Sequence, residues 1–555
     1  MPEATKSFAT SPIHLLMPMA GLGERFRREG YTDPKPLIKV SGTPMIQRLL
    51  ERFPPHWPCT FVLSEHHAET ALPGLLKVLR PDCQIVYLHD AEIAESPLRG
   101  PARSALAGLK VIPADHRVFL SYCDYDMVWD HTQFERFVRS NDCTACLISY
   151  RGFHAHYLTP LMYAYAQLDG ELVKAVREKG CFTANREQEY ASAGGYYVRS
   201  AALLRAALDY QAEHDLQVNG EHYISLTIES ILRSKAEAQV RIFEIPLFCQ
   251  WGTPADLKTY SYWEKTFVAW NRLQAAASTY EVEQVLMPMA GLGSRFASVT
   301  KVPKPLIEVA GRPMFVQALV SLPRARANVL VCLEQHRSML EASLNQLPAK
   351  TARPKVKWLR QTPQGQALST EQGLQELNPT QEVLVSACDH EIVLDPATWL
   401  RFKADPRCDG AIFTVRGYPG VQRRPQAYAY VDADFDGDEF PLVRTVSVKV
   451  PLSAKPEADA LLVGSFWFAS ADLLRRGIEA LKVKDARVNG ELYLDSIFAQ
   501  LQLLGHTMRV IPLDGYIGRG TPDELAESLY YQELIGGRRP TPRLRYSLGD
   551  QDSHA

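Results

Sequence analysis

The stretch Leu16-Met-Pro-Met-Ala-Gly-Leu-Gly23 decides the fold of this chain, because the same eight residues return at 286–293. Each copy continues into an arginine and a phenylalanine, and each then reaches Pro-Lys-Pro-Leu-Ile, at 34–38 and at 303–307. The two octapeptides begin 270 positions apart in a chain of 555 residues. A period of that length indicates two large homologous domains rather than a short-repeat solenoid.

Further matches keep their order along both halves. Val-Asn-Gly-Glu occurs at 218–221 and 488–491, and Gly-Thr-Pro occurs at 252–254 and 520–522. The halves are therefore homologous throughout. We predict a leader at 1–12, a first domain at 13–262, a helical connector at 263–283, a second domain at 284–536 and a flexible tail at 537–555.

Apolar runs rich in β-formers alternate with amphipathic helical stretches in both halves. The first half has predicted strands at 13–17, 60–63, 84–88, 117–121 and 144–149, and predicted helices at 44–53, 102–110 and 132–139. The second half has predicted strands at 329–333, 355–359, 382–386 and 411–415. This alternation predicts α/β domains, each with a mostly parallel, mixed sheet flanked by helices.

The composition is that of an ordinary globular chain, with 46% hydrophobic and 22% charged residues. The net charge of −2 provides no general basic field, so we expect no nucleic-acid partner. No apolar run approaches the roughly 18–20 residues of a membrane span, and residues 1–12 lack the apolar core of a secretory signal. The ten cysteines show no disulfide-like rhythm, so we expect a cytoplasmic protein.

The glycine turn that follows the first strand of each half is suited to binding phosphate. Glycines let the backbone turn tightly, so that successive N–H groups converge on an anion. The turn is neither a dinucleotide fingerprint nor a Walker loop, since the third glycine and the Gly-Lys-Ser/Thr are absent. The predicted nucleotide-binding positions are Ala20, Gly21 and Gly23 in the first half and Ala290, Gly291 and Gly293 in the second.

An arginine and a lysine accompany each glycine turn at matched spacing. Arg25 and Arg295 can each clasp phosphate oxygens through a planar fork. Lys35 and Lys304 each add a point charge between two prolines that stiffen the segment. Surface charges have no reason to recur between prolines, so these four residues are the predicted catalytic cations for a polyphosphate.

Met-Ala-Gly-Leu-Gly-x-Arg-Phe followed by Pro-Lys-Pro-Leu-Ile resembles the signature of nucleotide-sugar pyrophosphorylases, which join an NTP to a sugar 1-phosphate and release pyrophosphate. The variant Gly-Tyr-Thr-Asp-Pro-Lys-Pro-Leu-Ile at 30–38 is similar to capsule-type members of that superfamily. The resemblance covers nearly all of both halves. It implies two tandem Rossmann-like domains of the glycosyltransferase-A type, an NTP and a phosphorylated small-molecule acceptor as substrates, and a product used for surface polysaccharide.

The resemblance also implies a metal site in each half. Asp124 and Asp389 match the aspartate that holds Mg²⁺ on the nucleotide phosphates, as a hard carboxylate would. The next acids, Asp126 and Glu391, are further candidates.

The second metal-binding aspartate of many family members is missing here. It would stand two residues before the glycine of Gly-Thr-Pro, where this chain has Gln250 and Gly518. Either waters complete the metal site or another acid does.

The base-recognising segment of the family has a glycine that is matched by Gly100 and Gly365. Only the second half also has the family's glutamine, as Gln361. Recognition of the base by the first half is therefore open.

The residues of the acceptor site that the resemblance implies differ between the two halves. Glu178-Lys179 matches the family's Glu-Lys pair, whose lysine neutralises the sugar phosphate, whereas the second half has Val448-Lys449. The other implied acceptor contacts are Gly194 and Glu221 in the first half and Gly464 and Glu491 in the second.

Three interpretations stay open on the sequence. Both halves could be enzymes with different acceptors, or one half could catalyse while the other binds a ligand as a regulatory or scaffolding copy. Alternatively, Asp124-Tyr-Asp126 could be the DxD motif of a metal-dependent glycosyltransferase. The duplicated Gly-Arg-Lys signature favours nucleotidyl transfer. Duplication can replace a homodimer within one chain, and pairing with a second copy stays open as well.

Overall fold

The computed structural model of the protein describes residues 11–275, 280–405, 407–435, 437–485, 487 and 490–536. These residues form two compact units, called unit 1 and unit 2 below, which divide between Leu257 and Lys258. Most of the predicted leader, at 1–10, and the whole predicted tail, at 537–555, lie outside the described residues.

Unit 1 contains one nine-stranded sheet and two small two-stranded sheets. Its strands are β1 (Ile13–Met19), β2 (Lys39–Val40), β3 (Thr43–Pro44), β4 (Cys59–Ser64), β5 (Gln84–Leu88), β6 (Arg117–Ser121), β7 (Tyr125–Val128), β8 (Ala145–Tyr150), β9 (Tyr165–Asp169), β10 (Leu172–Arg177), β11 (Tyr190–Val198), β12 (Val240–Glu244) and β13 (Leu247–Gln250). Its helices are α1 (Glu24–Arg28), α2 (Met45–Leu50), α3 (Ala71–Leu79), α4 (Asp90–Glu95), α5 (Gly100–Gly108), α6 (His131–Ser140), α7 (Ala201–Glu213), α8 (Ile224–Ser234) and the first turn of α9 (Pro254–Ala275).

The large sheet of unit 1 has the strand order β5-β4-β1-β6-β11-β8-β12-β10-β9. The first four strands run parallel, and β11 runs antiparallel to both of its neighbours. Leu15 and Met17 of β1 pack into the core on one face, and Leu16 packs into the core on the other. A strand covered on both faces needs a continuous apolar run, which is why the repeated motif does not alternate polar with apolar residues.

Unit 2 also contains a nine-stranded sheet and two small sheets. Its strands are β14 (Glu281–Pro288), β15 (Glu308–Val309), β16 (Arg312–Pro313), β17 (Arg324–Leu333), β18 (Lys355–Leu359), β19 (Val383–Ser386), β20 (His390–Val393), β21 (Gly410–Val415), β22 (Ala429–Ala433), β23 (Val443–Val448), β24 (Ala460–Phe468), β25 (Met508–Pro512) and β26 (Gly515–Gly518). After the rest of α9, its helices are α10 (Met314–Val320), α11 (Arg337–Ser343), α12 (Gln366–Leu374), α13 (Pro396–Ala404), α14 (Pro419–Arg423), α15 (Ala471–Lys484), α16 (Ile497–Leu503) and α17 (Pro522–Gly536).

The sheet of unit 2 repeats the arrangement of unit 1. Its order is β18-β17-β14-β19-β24-β21-β25, and β22 pairs with β23 and β24. The repeated octapeptide again lies on and after the central parallel strand, here β14. The predicted fold, two tandem α/β units with mixed sheets and flanking helices, is confirmed.

The predicted strands of the first half are all present, and those at 84–88 and 117–121 have the predicted bounds. The glycine turns follow the carboxyl ends of β1 and β14, and Asp124 and Asp389 follow those of β6 and β19. These strand ends form the edge at which open α/β sheets bind ligands. The resemblance placed Gly194 on a strand, and that strand is β11. Its antiparallel direction and the hairpin of β9 and β10 were not among the predictions. Within the described residues, no helix is both long enough and apolar enough to cross a membrane.

Helix α9 runs without a break through the predicted end of the first domain and into the predicted connector. From Lys258 onwards it belongs to unit 2. Trp263 is fully buried and stacks on Tyr531, with ring centroids 5.8 Å apart. The hydroxyl of Tyr262 donates to the carbonyl oxygen of Tyr516 at 2.8 Å. The first part of the connector is therefore core of unit 2, because its aromatic side chains are buried there; residues 276–279 lie outside the described residues.

Candidate active sites

The glycine turn of unit 1 packs directly against the segment that carries the predicted catalytic lysine. A Cβ added at Gly23 would lie 3.2 Å from the Cβ of Lys35. Helix α1 starts after Gly23 and is anchored by the buried ring of Phe26, whereas Arg25 and Gly21 are exposed. The guanidinium and the turn backbone are thus both open to a ligand from solvent.

Unit 2 repeats this arrangement. A Cβ at Gly293 would lie 2.8 Å from the Cβ of Lys304. Phe296 is buried, and Arg295 and Gly291 are exposed. Both units therefore pack the glycine turn against the lysine segment in the same way.

The predicted catalytic lysine and the predicted metal-binding aspartate form an ion pair in each unit. In unit 1 the Lys35 Nζ lies 2.5 Å from Asp124 Oδ2, although 89 residues separate the two in sequence. Lys304 makes the same contact with Asp389 in unit 2. All four side chains are mostly buried, with exposed fractions between 18% and 26%.

Burial and pairing act in opposite directions on the pKa values of these groups. Burial lowers the pKa of Lys35, but the negative charge of Asp124 outweighs it, so the lysine pKa is raised; Lys304 beside Asp389 behaves likewise. Burial raises the pKa of Asp389, but Lys304 and His390 outweigh it and hold that pKa well below its usual range. The lysines are therefore cationic, and Asp389 is a carboxylate, at neutral pH.

The helix after Gly-Thr-Pro carries a carboxylate in its first turn in each unit, and in unit 2 it lies close to the predicted metal-binding aspartate. In unit 2 a Cβ at Gly520 would lie 3.2 Å from both Asp389 Oδ2 and Glu524 Oε2, so the two carboxylates flank this glycine. The hydroxyl of Tyr428 donates to Glu524 Oε1 at 2.6 Å. Glu524 is a residue that sequence reasoning missed as a candidate metal ligand.

Asp256 occupies the matching place in unit 1. Its Oδ2 accepts hydrogen bonds from the N–H and hydroxyl of Thr253, and its Oδ1 accepts one from Gln250 Nε2 at 3.0 Å. Burial raises its pKa, and the negative charge of Asp124 adds to that effect. Gln250, where the family has an aspartate, thus orients another acid. The acidic helix start after each Gly-Thr-Pro was the available sequence signal.

The acids that follow the metal-binding aspartates are held by arginines. Asp126 receives a bidentate pair of hydrogen bonds from Arg52, at 2.7 and 2.8 Å. Glu391 contacts Arg519, and both side chains are 2% exposed. Their predicted assistance to the metal does not fit this arrangement, because their oxygens are directed to guanidinium groups.

The base-recognising segment of unit 2 lies against the loop that carries Glu491. A Cβ at Gly365 would lie 2.6 Å from the backbone nitrogen and oxygen of Leu492, and the N–H of Ala367 donates to the carbonyl of Leu492 at 3.1 Å. Gln361 is exposed at the start of the segment. The predicted nucleotide and acceptor contacts of unit 2 are therefore neighbours.

Unit 1 has the same contact with looser packing. A Cβ at Gly100 would lie 3.5 Å from the Cβ of Glu221, and the N–H of Ala102 donates to the carbonyl of His222 at 3.1 Å. Helix α4 is inserted ahead of this glycine.

Strand register identifies what replaces the family's glutamine in unit 1. Leu88 pairs with the last residue of β4 as Leu359 pairs with the last residue of β17. Two residues after these leucines stand Asp90 and Gln361 respectively. Asp90 Oδ2 lies 3.3 Å from His66 Nε2, and the N–H of Asp90 donates to Glu65 Oε1 at 2.9 Å. In unit 1, Asp90 with its neighbours His66 and Glu65 therefore stands where unit 2 has the amide of Gln361.

The predicted acceptor lysine of unit 1 touches a tyrosine that sequence reasoning missed. Lys179 Nζ donates to the hydroxyl of Tyr223 at 2.6 Å and lies 4.6 Å from its ring centre. That hydroxyl in turn donates to Glu221. Burial and this bond to Glu221 raise the pKa of Tyr223, while the positive charge of Arg25 opposes them. Tyr223 thus links the predicted acceptor lysine to Glu221.

Tyr493 takes the same position in unit 2. Lys449 Nζ lies 5.2 Å from its ring centre. Burial and a hydrogen bond to Glu491 raise its pKa, and the positive charge of Arg295 opposes them. Both tyrosines follow Asn-Gly-Glu-x, so the repeat itself contained the signal.

The strand glycines predicted to contact the acceptor have different neighbours in the two units. A Cβ at Gly194 would lie 2.9 Å from the ring of Tyr122 and 3.4 Å from that of Tyr125. A Cβ at Gly464 would instead lie 3.4 Å from the ring of His390 and 3.6 Å from the Cβ of Ala387. The acceptor side of unit 2 is consequently less crowded.

Comparison with known protein families finds the same family twice along the chain. The family described as MobA-like NTP transferase domain matches residues 17–188 and again 286–436, together more than half of the chain. No curated protein is close enough in sequence to count as a match.

Several solved structures resemble part of this chain. One is a nucleoside-diphosphate-sugar pyrophosphorylase from Vibrio cholerae RC9, with 20% identity, a TM-score of 0.35, and coverage of 44% of this chain and 99% of that one. Another is the inositol-1-phosphate CTP transferase from T. maritima, with 16% identity, a TM-score of 0.37, and coverage of 47% and 98%. A UDP-glucose pyrophosphorylase complexed with UDP-glucose has 14% identity, a TM-score of 0.37, and coverage of 46% and 100%.

Proposed function

Because the chain belongs, through both of its units, to the family of MobA-like NTP transferases, we propose that it joins an NTP to a sugar 1-phosphate or a similar phosphate monoester. One observation carries the proposal most directly. In both units the glycine turn packs against a lysine that pairs with an aspartate, and a second lysine lies over a tyrosine ring. These groups supply positive charge for a triphosphate on one side and for an acceptor phosphate on the other.

The proposed reaction is an in-line displacement at the α-phosphorus of the NTP. An oxygen of the acceptor phosphate forms the new P–O bond, and the bond to the bridging oxygen of the β-phosphate breaks, so that pyrophosphate leaves. The acceptor is already an anion at neutral pH, since the second pKa of a phosphate ester is about 6. A side-chain base is therefore unnecessary, and positioning and charge neutralisation perform most of the catalysis.

Each cationic residue has a defined place in this mechanism. Arg25 and Lys35 lie on the nucleotide turn and beside it, where they would neutralise the triphosphate of unit 1. Lys179, held over the ring of Tyr223, would position the acceptor phosphate. In unit 2 the same parts would be taken by Arg295, Lys304 and Lys449.

We propose Mg²⁺ as the cofactor of both sites. Carboxylate oxygens are the ligands that Mg²⁺ prefers. Unit 2 offers Asp389 and Glu524, which flank Gly520; unit 1 offers Asp124 beside Gly252, and Asp256 bonded to the next residue, Thr253. The ion would neutralise phosphate charge, with water and phosphate oxygens as its other ligands.

The two units are proposed to use different acceptors. Tyr122 beside Gly194 narrows the acceptor side of unit 1, whereas Ala387 stands at the matching place beside Gly464. This difference supports different acceptors for the two sites, and the paired lysine, aspartate and arginine in each unit favour two enzymatic sites over a catalytic and a regulatory copy. The use of the products for surface polysaccharide and a cytoplasmic location also remain proposals, and the former rests on the motif at 30–38.

A DxD glycosyltransferase is the less favoured reading. It would need the carboxylates of both Asp124 and Asp126 on the metal. Both carboxylate oxygens of Asp126 instead accept hydrogen bonds from Arg52.

Pyrophosphate release tests the proposal. Four NTPs would be paired with a panel of phosphorylated sugars and polyols in the presence of Mg²⁺. We expect Arg25→Ala and Arg295→Ala each to lower the turnover of a different substrate pair by about 10²–10³-fold, the usual loss for a group that stabilises transition-state charge. Arg27→Ala, on the exposed face of the same short helix, is the matched control. Full activity of the double variant would contradict the mechanism.

A further inference from the structure

The acceptor site of unit 1 contains a carboxylate that faces a serine. Ser225 Oγ donates to Glu178 Oε2 at 2.6 Å, and Glu178 directly precedes the acceptor lysine Lys179. Burial raises the pKa of Glu178, while the hydrogen bond from Ser225 and the charge of Lys179 oppose that rise. Positions 178 and 225 are thus in direct contact beside the lysine.

The repeat exchanges the residue types at these two positions. Unit 2 has Val448 where unit 1 has Glu178, and it has Asp495 where unit 1 has Ser225, each 270 residues later. The backbone at the acceptor lysine is alike in the two units, because Lys179 and Lys449 both adopt a left-handed conformation, with φ of +51° and +61°. The other position differs locally, since Ser225 lies in helix α8 and Asp495 lies in a 3-10 turn before α16.

Asp495 has the environment of a carboxylate that lacks its partner. Its Oδ1 is buried and has no hydrogen-bond partner among the described residues. Burial raises the pKa of Asp495 to about 6, against the opposing effects of nearby backbone N–H groups and the charge of Lys449. A buried acceptor without a donor destabilises the fold unless a ligand supplies the donor.

We propose that Asp495 is the acceptor-positioning carboxylate of unit 2, where it replaces Glu178 from the opposite wall of the site. It would accept a hydrogen bond from a hydroxyl of a sugar or polyol phosphate whose phosphate lies at Lys449. This inference rests on the proposed function. It explains how unit 2 keeps a carboxylate near Lys449 although it lacks the glutamate of the Glu-Lys pair. Unit 2 would then bind an acceptor whose hydroxyl is oriented differently from that of the unit 1 acceptor.

The test uses full-length protein with Arg25→Ala, so that only unit 2 turns over. Asp495→Ser should raise the KM for the phosphorylated acceptor by about 10- to 100-fold, the range for a hydrogen bond to a charged group, and leave the KM for the NTP unchanged. Adding Val448→Glu to Asp495→Ser recreates the unit 1 arrangement and should restore most of the lost acceptor affinity. Asp485→Asn, an exposed acid after α15, is the matched control and should change neither constant.

The outcomes separate this inference from the function on which it rests. Release of no pyrophosphate by the wild-type protein from any substrate pair would contradict the proposed function itself. Activity of the wild type with none in the Arg25→Ala protein would overturn only the inference, since unit 2 would not be a working site. An unchanged acceptor KM in Asp495→Ser, or a loss that Val448→Glu fails to relieve while thermal unfolding stays normal, would also overturn it.

Discussion

Replacing Gly365 with alanine tests whether the contact between the base-recognising segment and the acceptor loop is as tight as the geometry indicates. Gly365 has a φ of +116°, in a region that is open essentially to glycine alone. The new methyl carbon would lie 2.6 Å from the nitrogen and oxygen of Leu492, which are backbone atoms and cannot move aside as a side chain can. Backbone strain and the forced displacement are each worth about 1–3 kcal/mol. We therefore expect Gly365→Ala to destabilise unit 2 by about 3 kcal/mol or more.

Gly100 provides the matched comparison in the other unit. Its φ is +61°, and its added Cβ would meet nothing closer than 3.5 Å, an ordinary contact. Only the left-handed conformation is then unfavourable, so Gly100→Ala should cost about 1–2 kcal/mol. Gly291→Ala, where a Cβ meets nothing within 4 Å, should leave stability almost unchanged.

Calorimetric unfolding of the three variants measures the difference. A loss of 1 kcal/mol lowers Tm by about 2–4 °C for a domain of 150–250 residues. Gly365→Ala should therefore lower a transition by about 6–12 °C or more, and Gly100→Ala by roughly 2–8 °C, with the larger shift always in Gly365→Ala. The NTP KM of unit 2 should rise in Gly365→Ala, because the segment must move away from Leu492. Equal shifts for the two variants, or an unchanged transition in Gly365→Ala, would refute the reasoning.

Three further predictions follow from burial and charge. Glu527→Gln should lower the unfolding transition of unit 2 by an equivalent of about 3–5 kcal/mol, because Glu527 is fully buried and its loss leaves the charge of Arg423 without its partner; an unchanged Tm would argue against this. Acidification from about pH 6.5 to 4 should destabilise unit 1, as chemical denaturation at several pH values would measure. Burial lowers the pKa values of His14 and His154 to about 4, so the unfolded chain takes up protons at these residues while the folded chain does not, and stability is lost as the pH falls. Flat denaturation midpoints across that range would contradict the prediction. Ala387→Tyr should raise the acceptor KM of unit 2 several-fold with little change in the NTP KM, since its ring would fill the space beside Gly464, and a steady-state comparison with the wild type checks it.

Much of the fold follows from patterns that are local in sequence. The strands at 84–88 and 117–121 have the predicted bounds, because a short apolar run between turn residues specifies both a strand and its ends. The antiparallel direction of β11 was not predicted, since it depends on pairing with β6 and β8, which are far along the chain. The β9–β10 hairpin is local, with Leu172 paired to Asp169, and the turn signal Asp169-Gly170 was not used.

Part of the candidate site could likewise be predicted from the sequence. The repeat marked the cations and aspartates, and the structure brings Lys35 to Asp124 and Lys304 to Asp389. It also marked Tyr223 by the recurrence of Asn-Gly-Glu-x-Tyr, although motif reasoning did not use that recurrence. Residues that bind a shared ligand keep their type and spacing through duplication, so they can be read from one sequence.

By itself the sequence determined the duplication, the α/β class of both units and the residue types available at each site. Only the tertiary structure decided which acids are free to act. Asp126 is held by Arg52, 74 residues away, and Asp495 Oδ1 is buried without a hydrogen-bond partner among the described residues. The role of a carboxylate depends on the charges and donors within a few ångströms of it, and those neighbours come from distant segments that folding brings together.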